Sequence, residues 1–390
     1  MTKGNVFKKI ISYVLVAVIS SVATFGVILL TGYQNRSKLD ELTSLIDAYY
    51  IGEADHTAIE EAAAYAIIDA LGDKWSYYIP AGQYASYMEQ MNNSYVGIGV
   101  TVSLTEDKTG MEIKTVEEGG SAKEAGIRPG DVIVSVNGES IAAIGMEAAT
   151  ARIRGEENTT VSLTVRRGEE SLDFTVTRRT IEVVVASGQM LENNIGLVTI
   201  NNFDERCAEE TIAAIESLVK QGAEALIFDV RYNPGGYKKE LVKVLDYLLP
   251  KGILFRSEDY TGAEAIDYSD EACLELPMAV LVNADSYSAA EFFAAALEEY
   301  DWAFTAGANT TGKGYFQSTF QMSDGSAVGL SIGKYFTPDG VSLAEVGGLQ
   351  VKIPAATTEE MDALIYGGLL PAEEDPQIQA AVQELLKKLD

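Results

Sequence analysis

The chain has 390 residues, 47% of them hydrophobic, and its 29 basic against 58 acidic residues give a formal net charge of −29. The length and apolar fraction exclude a disordered chain and predict a multidomain globular protein. The negative charge repels nucleic acid and anionic lipid wherever basic residues do not cluster, which argues against nucleic-acid binding.

The first predicted element is an apolar segment near the N-terminus. Lys3, Lys8 and Lys9 precede it, and residues 10–34 carry no charge. Residues 10–31, at ~1.5 Å each, span roughly 33 Å, enough for a hydrocarbon core of about 30 Å. The lysines predict a cytoplasmic tail (residues 1–9), a transmembrane signal anchor (10–32) and an extracytoplasmic remainder. A cleaved signal peptide is the alternative, disfavoured by the length of the apolar run.

Residues 37–92 are predicted to form a helical N-terminal region. Apolar residues recur at helical spacing from Leu39 to Ile46 and again from Ile59 to Ile67, and Gly52 separates the two runs. The aromatic stretch 72–80 between this region and a further short helix is expected to be a connector.

Residues 94–180 change to short alternating strands broken by glycine, which predicts a small β-rich module. A short helix and a Pro-Gly turn in residues 120–131 complete a pattern that resembles a PDZ domain. The resemblance implies that Gly97, Ile98, Gly99 and Val100 offer backbone N–H groups to the terminal carboxylate of a peptide that adds a strand beside them. The alternative is that these glycines form only a tight strand entry.

Residues 181–354 alternate buried strands with amphipathic helices. Strands are predicted at 195–200, 225–230 and 278–282, with helices at 205–220, 238–249 and 289–300. This order favours parallel crossovers and a site at the carboxyl ends of the strands. An antiparallel hairpin follows (315–322 with 327–336), and residues 355–390 are predicted to be a helical C-terminal arm.

Ser288 is the candidate nucleophile. It lies where a buried strand ends and a helix begins, so the helix N-terminus would stabilise developing negative charge. The alternative is a helix cap, because the run from Ser288 to Glu291 is also a capping-box pattern.

Lys313 is the candidate base, because the single histidine, His56, lies far upstream in a helical segment. Flanking glycines and a following apolar strand suit a lysine that points inward, and burial lowers a lysine pKa from its ordinary value of about 10.4. Gln317 could hold the amine without a stabilising negative charge. The alternative is a solvated lysine in a turn.

Gly235 and Gly236 are candidate oxyanion donors. They follow the buried strand 225–230 and open a helix, so the N–H group of one or the other can point at a reacting carbonyl oxygen. A phosphate-binding or purely structural turn is the alternative. The two cysteines, Cys207 and Cys273, form either one disulfide or two free thiols, and with one histidine no metal site and no cofactor are expected.

The spacing of 25 residues from Ser288 to Lys313 and of four to Gln317 resembles the catalytic motif of the carboxyl-terminal processing (tail-specific) peptidases, which are PDZ-containing Ser-Lys proteases. The similarity covers Leu39 to Pro354. It implies a multidomain α+β and α/β fold with a crotonase-like (ClpP-like) α/β protease core. It also implies that Ser288 is the nucleophile, Lys313 the general base, Gln317 the residue that orients the lysine, and Gly235 or Gly236 an oxyanion donor.

The same resemblance implies that the PDZ domain senses substrate C-termini and gates the active site, with Arg154 coupling the two. Two features depart from the family pattern: Tyr237 and Lys238 follow the glycine pair, and no Pro-Asp follows Gly348-Leu349. These departures concern the shape of the cleft.

The sequence therefore predicts a single-pass membrane endopeptidase, acting outside the cytoplasm through an acyl-enzyme on protein or peptide substrates with free C-termini. A non-catalytic PDZ scaffold at the cell surface is the main alternative, and a serine protease dependent on His56 is the other. Amphipathic arms at both ends favour a homodimer, since such arms often bury their apolar faces on a partner.

Overall fold

The computed structural model describes residues 13–24, 26, 37–117 and 119–389. The predicted cytoplasmic tail (1–9) lies outside these residues, and so does about half of the predicted anchor (10–32); residues 13–24 are helical. None of the helices in the described part of the chain is long and apolar enough to cross a bilayer. The chain divides into two units, with the boundary between Leu71 and Gly72.

The first unit contains the helices α1 (Lys38–Tyr49) and α2 (His56–Asp69), as the apolar spacing on either side of Gly52 predicts. Each helix is capped at its N-terminus by a side chain that accepts a backbone hydrogen bond: Ser37 from Asp40, and Asp55 from Ala58. His56 Nε2 lies 3.1 Å from the Asp47 carboxylate.

The second unit begins with β1 (Tyr77–Ile79) and α3 (Ala81–Met91). The prediction of a helical region through residue 92 is wrong for β1, which pairs antiparallel with residues 327–329. Tyr77 stands opposite Gly329, and its ring occupies the space that a Cβ at Gly329 would need. This long-range pairing leaves no mark on the local sequence.

The PDZ-like module contains a six-stranded antiparallel sheet, a separate strand pair and two helices. Its elements are β2 (Ser94–Gly97), β3 (Val100–Leu104), β4 (Met111–Val116), α4 (Ser121–Glu124), β5 (Val132–Val136), β6 (Glu139–Ser140), α5 (Ile141–Ile153), β7 (Thr160–Arg167), β8 (Glu170–Thr177) and β9 (Arg179–Glu182). The sheet order is β3-β4-β5-β7-β8, with β6 on β5, and β2 pairs with β9 separately. Among the described strands only β4 pairs with β3, so the other edge of β3 is open to an added strand.

The remaining elements form the α/β core. They are β10 (Ala186–Met190), β11 (Ile195–Ile200), α6 (Cys207–Gln221), β12 (Ala225–Asp229), α7 (Lys238–Leu248), β13 (Ile253–Asp259), β14 (Glu264–Tyr268), β15 (Met278–Val282), α8 (Ala289–Glu299), β16 (Ala303–Gly307), β17 (Tyr315–Gln321), β18 (Ala327–Phe336), α9 (Leu343–Val346), β19 (Ile353–Pro354), α10 (Glu359–Tyr366) and α11 (Pro376–Leu389). Cys207 and Cys273 are both free thiols.

The central sheet has the order β10-β11-β12-β15-β16-β19, and it is parallel from β11 onward, as predicted. A second sheet, β1-β18-β13-β14 with β17 on β18, is antiparallel. Alternate residues of the central strands pack on opposite faces: Phe228 and Val280 lie in the cluster with α6, α7 and α8, whereas Ile227 and Leu281 lie in the cluster with α11.

The C-terminal segment is helical but is not a free arm. Ile378, Ala381 and Leu385 of α11 are buried against the second face of the central sheet. A parallel sheet needs cover on both faces, and α11 supplies it within the same chain. The apolar face of α11 is therefore not free to pack on a second copy of the chain, as the homodimer prediction assumed for the C-terminal arm.

Candidate active site

Ser288 lies at a strained turn between β15 and α8. Its φ of +58° and ψ of −126° are rarely adopted by a residue with a side chain, and such strain costs about 1–3 kcal/mol. Neighbouring contacts hold the turn: Ser286 Oγ donates to the Val230 carbonyl at 2.7 Å, and the Tyr287 N–H donates to the Asn233 carbonyl. The loop therefore fixes the Ser288 side chain above the sheet edge.

The Ser288 hydroxyl is bonded to a tyrosine on another sheet. Tyr335 of β18 donates its hydroxyl to Ser288 Oγ at 2.8 Å. The Tyr335 ring is 4% exposed and packs edge-on against Phe292, with ring centroids 4.5 Å apart. Burial raises the pKa of the Tyr335 phenol, so it stays a neutral donor.

Lys313 presents its ammonium to two aromatic rings. Its Nζ lies 4.8 Å from the ring centroid of Trp75 and 5.8 Å from that of Tyr287. Burial lowers the Lys313 pKa to about 8, against the opposing charges of Glu291 and Asp73. Within the described residues Nζ has no hydrogen bond and no ion pair. A neutral amine is therefore accessible near neutral pH, as general-base chemistry requires.

Glu291 ties the serine loop to the lysine loop. It is fully buried, and its carboxylate accepts hydrogen bonds from the Ser288 N–H at 3.1 Å, the Gly312 N–H at 2.6 Å and the Lys313 N–H at 2.8 Å, as well as from the Thr310 hydroxyl. The bond from the Ser288 N–H to Glu291 belongs to the predicted capping box, which is present at this helix start. The same carboxylate also fixes the backbone beside the lysine.

The two glycines of the candidate oxyanion hole differ. The Gly235 N–H donates to the Asn233 side chain at 2.8 Å, whereas in the described part of the chain the Gly236 N–H donates to no oxygen. Of the two predicted oxyanion donors, Gly236 is therefore the one whose N–H has no hydrogen-bond acceptor among the described residues. Ala289 offers a second N–H, because the first residue of a helix has no intrahelical acceptor. A Cβ added at Gly235 would lie 2.9 Å from the Ala289 nitrogen, so the two loops are in contact.

A single cleft of about 750 Å³ brings the predicted residues together: Ser288, Lys313, Gln317, Gly235 and Gly236 all line it. The Gln317 amide donates to the Tyr315 carbonyl at 3.1 Å and to the Ser331 hydroxyl at 3.0 Å, so it does not hold the lysine in this conformation. The Ser288 hydroxyl bonds to Tyr335 while the lysine amine faces the rings. The predicted dyad shares a cleft without a direct hydrogen bond.

Comparison with known proteins places this cleft in a family. Residues 194–354 match peptidase family S41 and residues 112–167 match a PDZ domain family. The Bacillus subtilis (strain 168) protein named "Carboxy-terminal processing protease CtpA" is 36% identical over 315 residues, which are 80% of this chain and 67% of that protein. The chain belongs to peptidase family S41.

Two further comparisons agree with membership of S41, which is a family of serine-type peptidases. A Staphylococcus aureus (strain COL) protein named "Probable CtpA-like serine protease" is 33% identical over 314 residues, covering 80% of this chain and 63% of the relative. The S41 chain thus spans less than two thirds of that protein. A solved Bacteroides fragilis structure, described as a candidate S41 protease, has the same fold at 17% identity, with a TM-score of 0.52 over 82% of this chain and 88% of its own.

The PDZ domain of this S41 chain touches a helix that lines the cleft. Arg154, at the end of α5, places a guanidinium nitrogen 3.4 Å from the Glu89 carboxylate on α3, and it lies over the Tyr95 ring. From α3, Tyr87, Gln90 and Met91 contribute to the cleft wall. Of the predicted carboxylate-binding residues, Ile98 is 1% exposed, and the segment from Gly97 to Val100 leads into the open-edged strand β3.

Sequence reasoning missed four residues of this site: Trp75, Glu291 as a brace, Tyr335 and the Ala289 N–H. Trp75 lay in a stretch expected to be only a connector, although its density of aromatic residues was a signal. Tyr335 gave no local signal, because it reaches Ser288 from a strand 47 residues further along the chain.

Proposed function

We propose that this chain is a membrane-anchored serine endopeptidase that cleaves protein substrates outside the cytoplasm through an acyl-enzyme on a Ser288–Lys313 dyad. The observation that carries the proposal is the pairing of a strained, helix-capping Ser288 with a half-buried lysine of lowered pKa in one cleft. Strain at a non-glycine residue and a depressed lysine pKa are both typical of catalytic sites.

In the proposed reaction Ser288 Oγ attacks the carbonyl carbon of the scissile peptide and its proton passes to the neutral Lys313 amine. The lysine then protonates the leaving nitrogen, and the carbonyl carbon remains bound to Oγ as an ester. Water attacks the ester in the second half and loses its proton to Lys313, which passes a proton to Ser288 Oγ as the Oγ–carbon bond breaks and the new C-terminal carboxyl group is released. The N–H groups of Gly236 and Ala289 are the donors that we assign to the oxyanion.

The attack requires the lysine to leave the face of Trp75 and approach Ser288 Oγ. A cation over an aromatic ring is stabilised by about 0.5–2 kcal/mol, an amount that substrate binding can offset. The Tyr335 hydroxyl donates to Oγ, and Oγ can still donate its proton to the amine, so the two contacts are compatible. Gln317 is proposed to orient the amine in that arrangement.

Substrates are proposed to be proteins with free C-termini that add a strand to β3, with the carboxylate at Gly97 to Val100. The open edge of β3 supports this mode of binding. The contact between Arg154 and Glu89 supports coupling of the PDZ domain to the cleft, since α3 carries both Glu89 and cleft residues.

The decisive experiment measures casein cleavage by the purified full chain in detergent. Ser288→Ala and Lys313→Ala are expected to abolish cleavage while remaining folded, with a single cooperative unfolding transition. The exposed residues Ser217 and Lys220 on α6 supply matched controls, and Ser217→Ala and Lys220→Ala are expected to cleave at the wild-type rate. Equal cleavage by wild type and Ser288→Ala would overturn the proposal. Peptide binding without any turnover would favour the non-catalytic scaffold.

The anchor and the location are proposed from the sequence alone. The charge-free run after Lys3, Lys8 and Lys9 supports an N-terminus in the cytoplasm. The full chain should resist extraction from membranes at alkaline pH, and a chain that lacks residues 1–36 should not. Added protease should digest the catalytic region on intact cells stripped of their wall; protection until the cells are lysed would contradict the location.

A further inference from the structure

A buried carboxylate without a partner lies in the wall of the cleft. Asp204 is 6% exposed, and its Oδ1 is fully buried with no hydrogen-bond partner among the described residues. Nearly all buried polar atoms in native proteins are hydrogen-bonded, and an unpaired buried carboxylate is among the most costly exceptions. Asp204 Oδ1 therefore needs a partner other than the described residues of the chain.

The backbone places Asp204 beside the reacting groups. Phe203 donates its N–H to the Gly235 carbonyl and accepts the Tyr237 N–H, both at 2.7 Å, so this strand end lies along the glycine pair. A Cβ added at Gly236 would lie 2.7 Å from the Asp204 nitrogen, and one added at Gly235 would lie 2.7 Å from the Ser288 Cβ. Asp204 thus contacts one glycine of the pair, and Ser288 contacts the other.

The cations of the neighbouring segments are already paired. Their partners are Glu210 for Arg206, Glu205 for Lys239 and Asp267 for Lys238. The side chains that interact electrostatically with Asp204 are acidic or neutral: Glu205, Tyr87, Tyr237 and Cys207. Tyr87 and Tyr237 also line the cleft. Aromatic rings around an uncompensated carboxylate attract an ammonium or guanidinium group.

We propose that Asp204 forms a specificity subsite that binds a lysine or arginine side chain of the substrate close to the scissile bond. The proposal rests on the proposed peptidase function. It also gives a role to Tyr237, whose ring lines the cleft beside Asp204. A bound cation would supply the missing partner of Oδ1, and a neutral side chain would leave that oxygen buried and unpaired.

The titration of Asp204 predicts a pH dependence of this preference. Burial, and secondarily the charge of Glu205, raises the Asp204 pKa to about 7. The carboxyl is therefore neutral below pH 6 and anionic above pH 8. Tyr87, Tyr237 and Cys207 have raised pKa values and stay neutral over that interval. Preference for a basic side chain should rise from pH 6 to pH 8.

The test uses the full chain carrying Ser288→Ala, which separates binding from cleavage. Peptides scan lysine or norleucine through four positions on each side of a cleavage site mapped in casein, or of the peptide centre if none is cleaved. Fluorescence anisotropy at pH 8 should show lysine binding at least tenfold tighter than norleucine at one position or more. The ratio should fall to about one in Ser288→Ala/Asp204→Asn and at pH 5.5. It should persist in Ser288→Ala/Glu205→Gln, the matched carboxylate control.

Equal binding of lysine and norleucine peptides at every position would overturn the subsite and leave water as the partner of Oδ1. So would a lysine preference that survives Asp204→Asn. Failure of the proposed peptidase function would be seen separately, as absence of casein cleavage by the wild type. The binding ratio decides the subsite in either case.

Discussion

The Tyr335 hydroxyl donates a 2.8 Å hydrogen bond to Ser288 Oγ, joining the antiparallel sheet to the proposed nucleophile at the edge of the parallel one. The bond fixes the serine rotamer and leaves the serine proton free for a base. In the proposed reaction it also donates a hydrogen bond to the negative charge that Oγ gains during attack. The Tyr335 ring packs against Phe255 and Phe292, which hold the hydroxyl in position beside Ser288 Oγ.

Removing that hydroxyl should slow the reaction without unfolding the protein. We expect Tyr335→Phe to lower kcat about 3–10-fold with KM nearly unchanged, because one hydrogen bond is worth about 0.5–1.5 kcal/mol. The ring packing is retained, so the unfolding temperature should fall by only a few degrees. Steady-state kinetics on a quenched peptide check this, with Tyr260→Phe, an exposed tyrosine, as control. A higher kcat in Tyr335→Phe would show that the bond restrains the serine instead.

The pH dependence of kcat/KM should follow Lys313. Burial lowers the lysine pKa to about 8, and only the neutral amine can accept a proton. Activity should therefore rise with pH through about 8, reach a plateau above it and fall roughly tenfold per unit below 7. Lys313→Arg should be inactive at every pH, because its guanidinium stays charged. A flat profile between pH 6 and 9 would contradict the assignment of Lys313 as base.

The lowered pKa of Lys313 should also reduce the free energy of unfolding at neutral pH. Its pKa in the folded protein, about 8, lies below its ordinary unfolded value, so the folded state binds fewer protons between these values and the free energy of unfolding rises with pH across that window. Below pH 8 the penalty is present in full, up to about 3 kcal/mol. Lys313→Met should raise the urea midpoint at pH 7, and Lys220→Met, on an exposed face, should leave it unchanged. A lower midpoint in Lys313→Met would show that packing of the lysine outweighs its desolvation.

Glu291 should matter to both stability and pH profile. All four groups around its carboxylate are donors, so Glu291→Gln must turn its amide hydrogens toward at least one of them. We expect a loss of about 1–3 kcal/mol in the free energy of unfolding. Loss of the negative charge should also lower the Lys313 pKa and move the activity profile to lower pH. Thr310→Val, which removes one donor and no charge, should destabilise without moving the profile.

The contact between Arg154 and Glu89 should affect the coupling of the PDZ domain to the cleft more than it affects the stability of the fold. Both side chains are partly exposed, so Arg154→Glu should change the free energy of unfolding by less than about 1 kcal/mol. Wild type is expected to cleave a peptide with a free C-terminus faster than its amidated form, and Arg154→Glu should reduce that ratio toward one. The swapped pair Arg154→Glu/Glu89→Arg should restore it. No recovery in the swapped pair would assign the effect to Arg154 apart from this ion pair.

The sequence alone determined the local framework. Buried apolar runs predicted β11, β12 and β15, and helical spacing predicted α6, α7 and α8, each to within one or two residues, because burial leaves these patterns in the sequence. The strands β10, β13, β14, β16 and β19 were not predicted. The junction of a buried strand with a helix marked Ser288, and flanking glycines marked Lys313. The glycine pair at 235 and 236 marked the candidate oxyanion hole in the sequence. The structure shows why glycine is required there: the φ values are +93° and +149°, and an added Cβ would clash with Ser288 at one position and with Phe203 at the other.

Only the tertiary structure decided which side chains meet. The partner of Ser288 Oγ, the pairing of β1 with β18, the seat of α11 on the sheet and the unpaired oxygen of Asp204 all depend on segments distant in sequence. Periodicity reports which face of an element is buried, but not what covers it. Contact partners and the pKa values that they set follow from three-dimensional packing, in which desolvation and charge add up over residues that no local pattern connects.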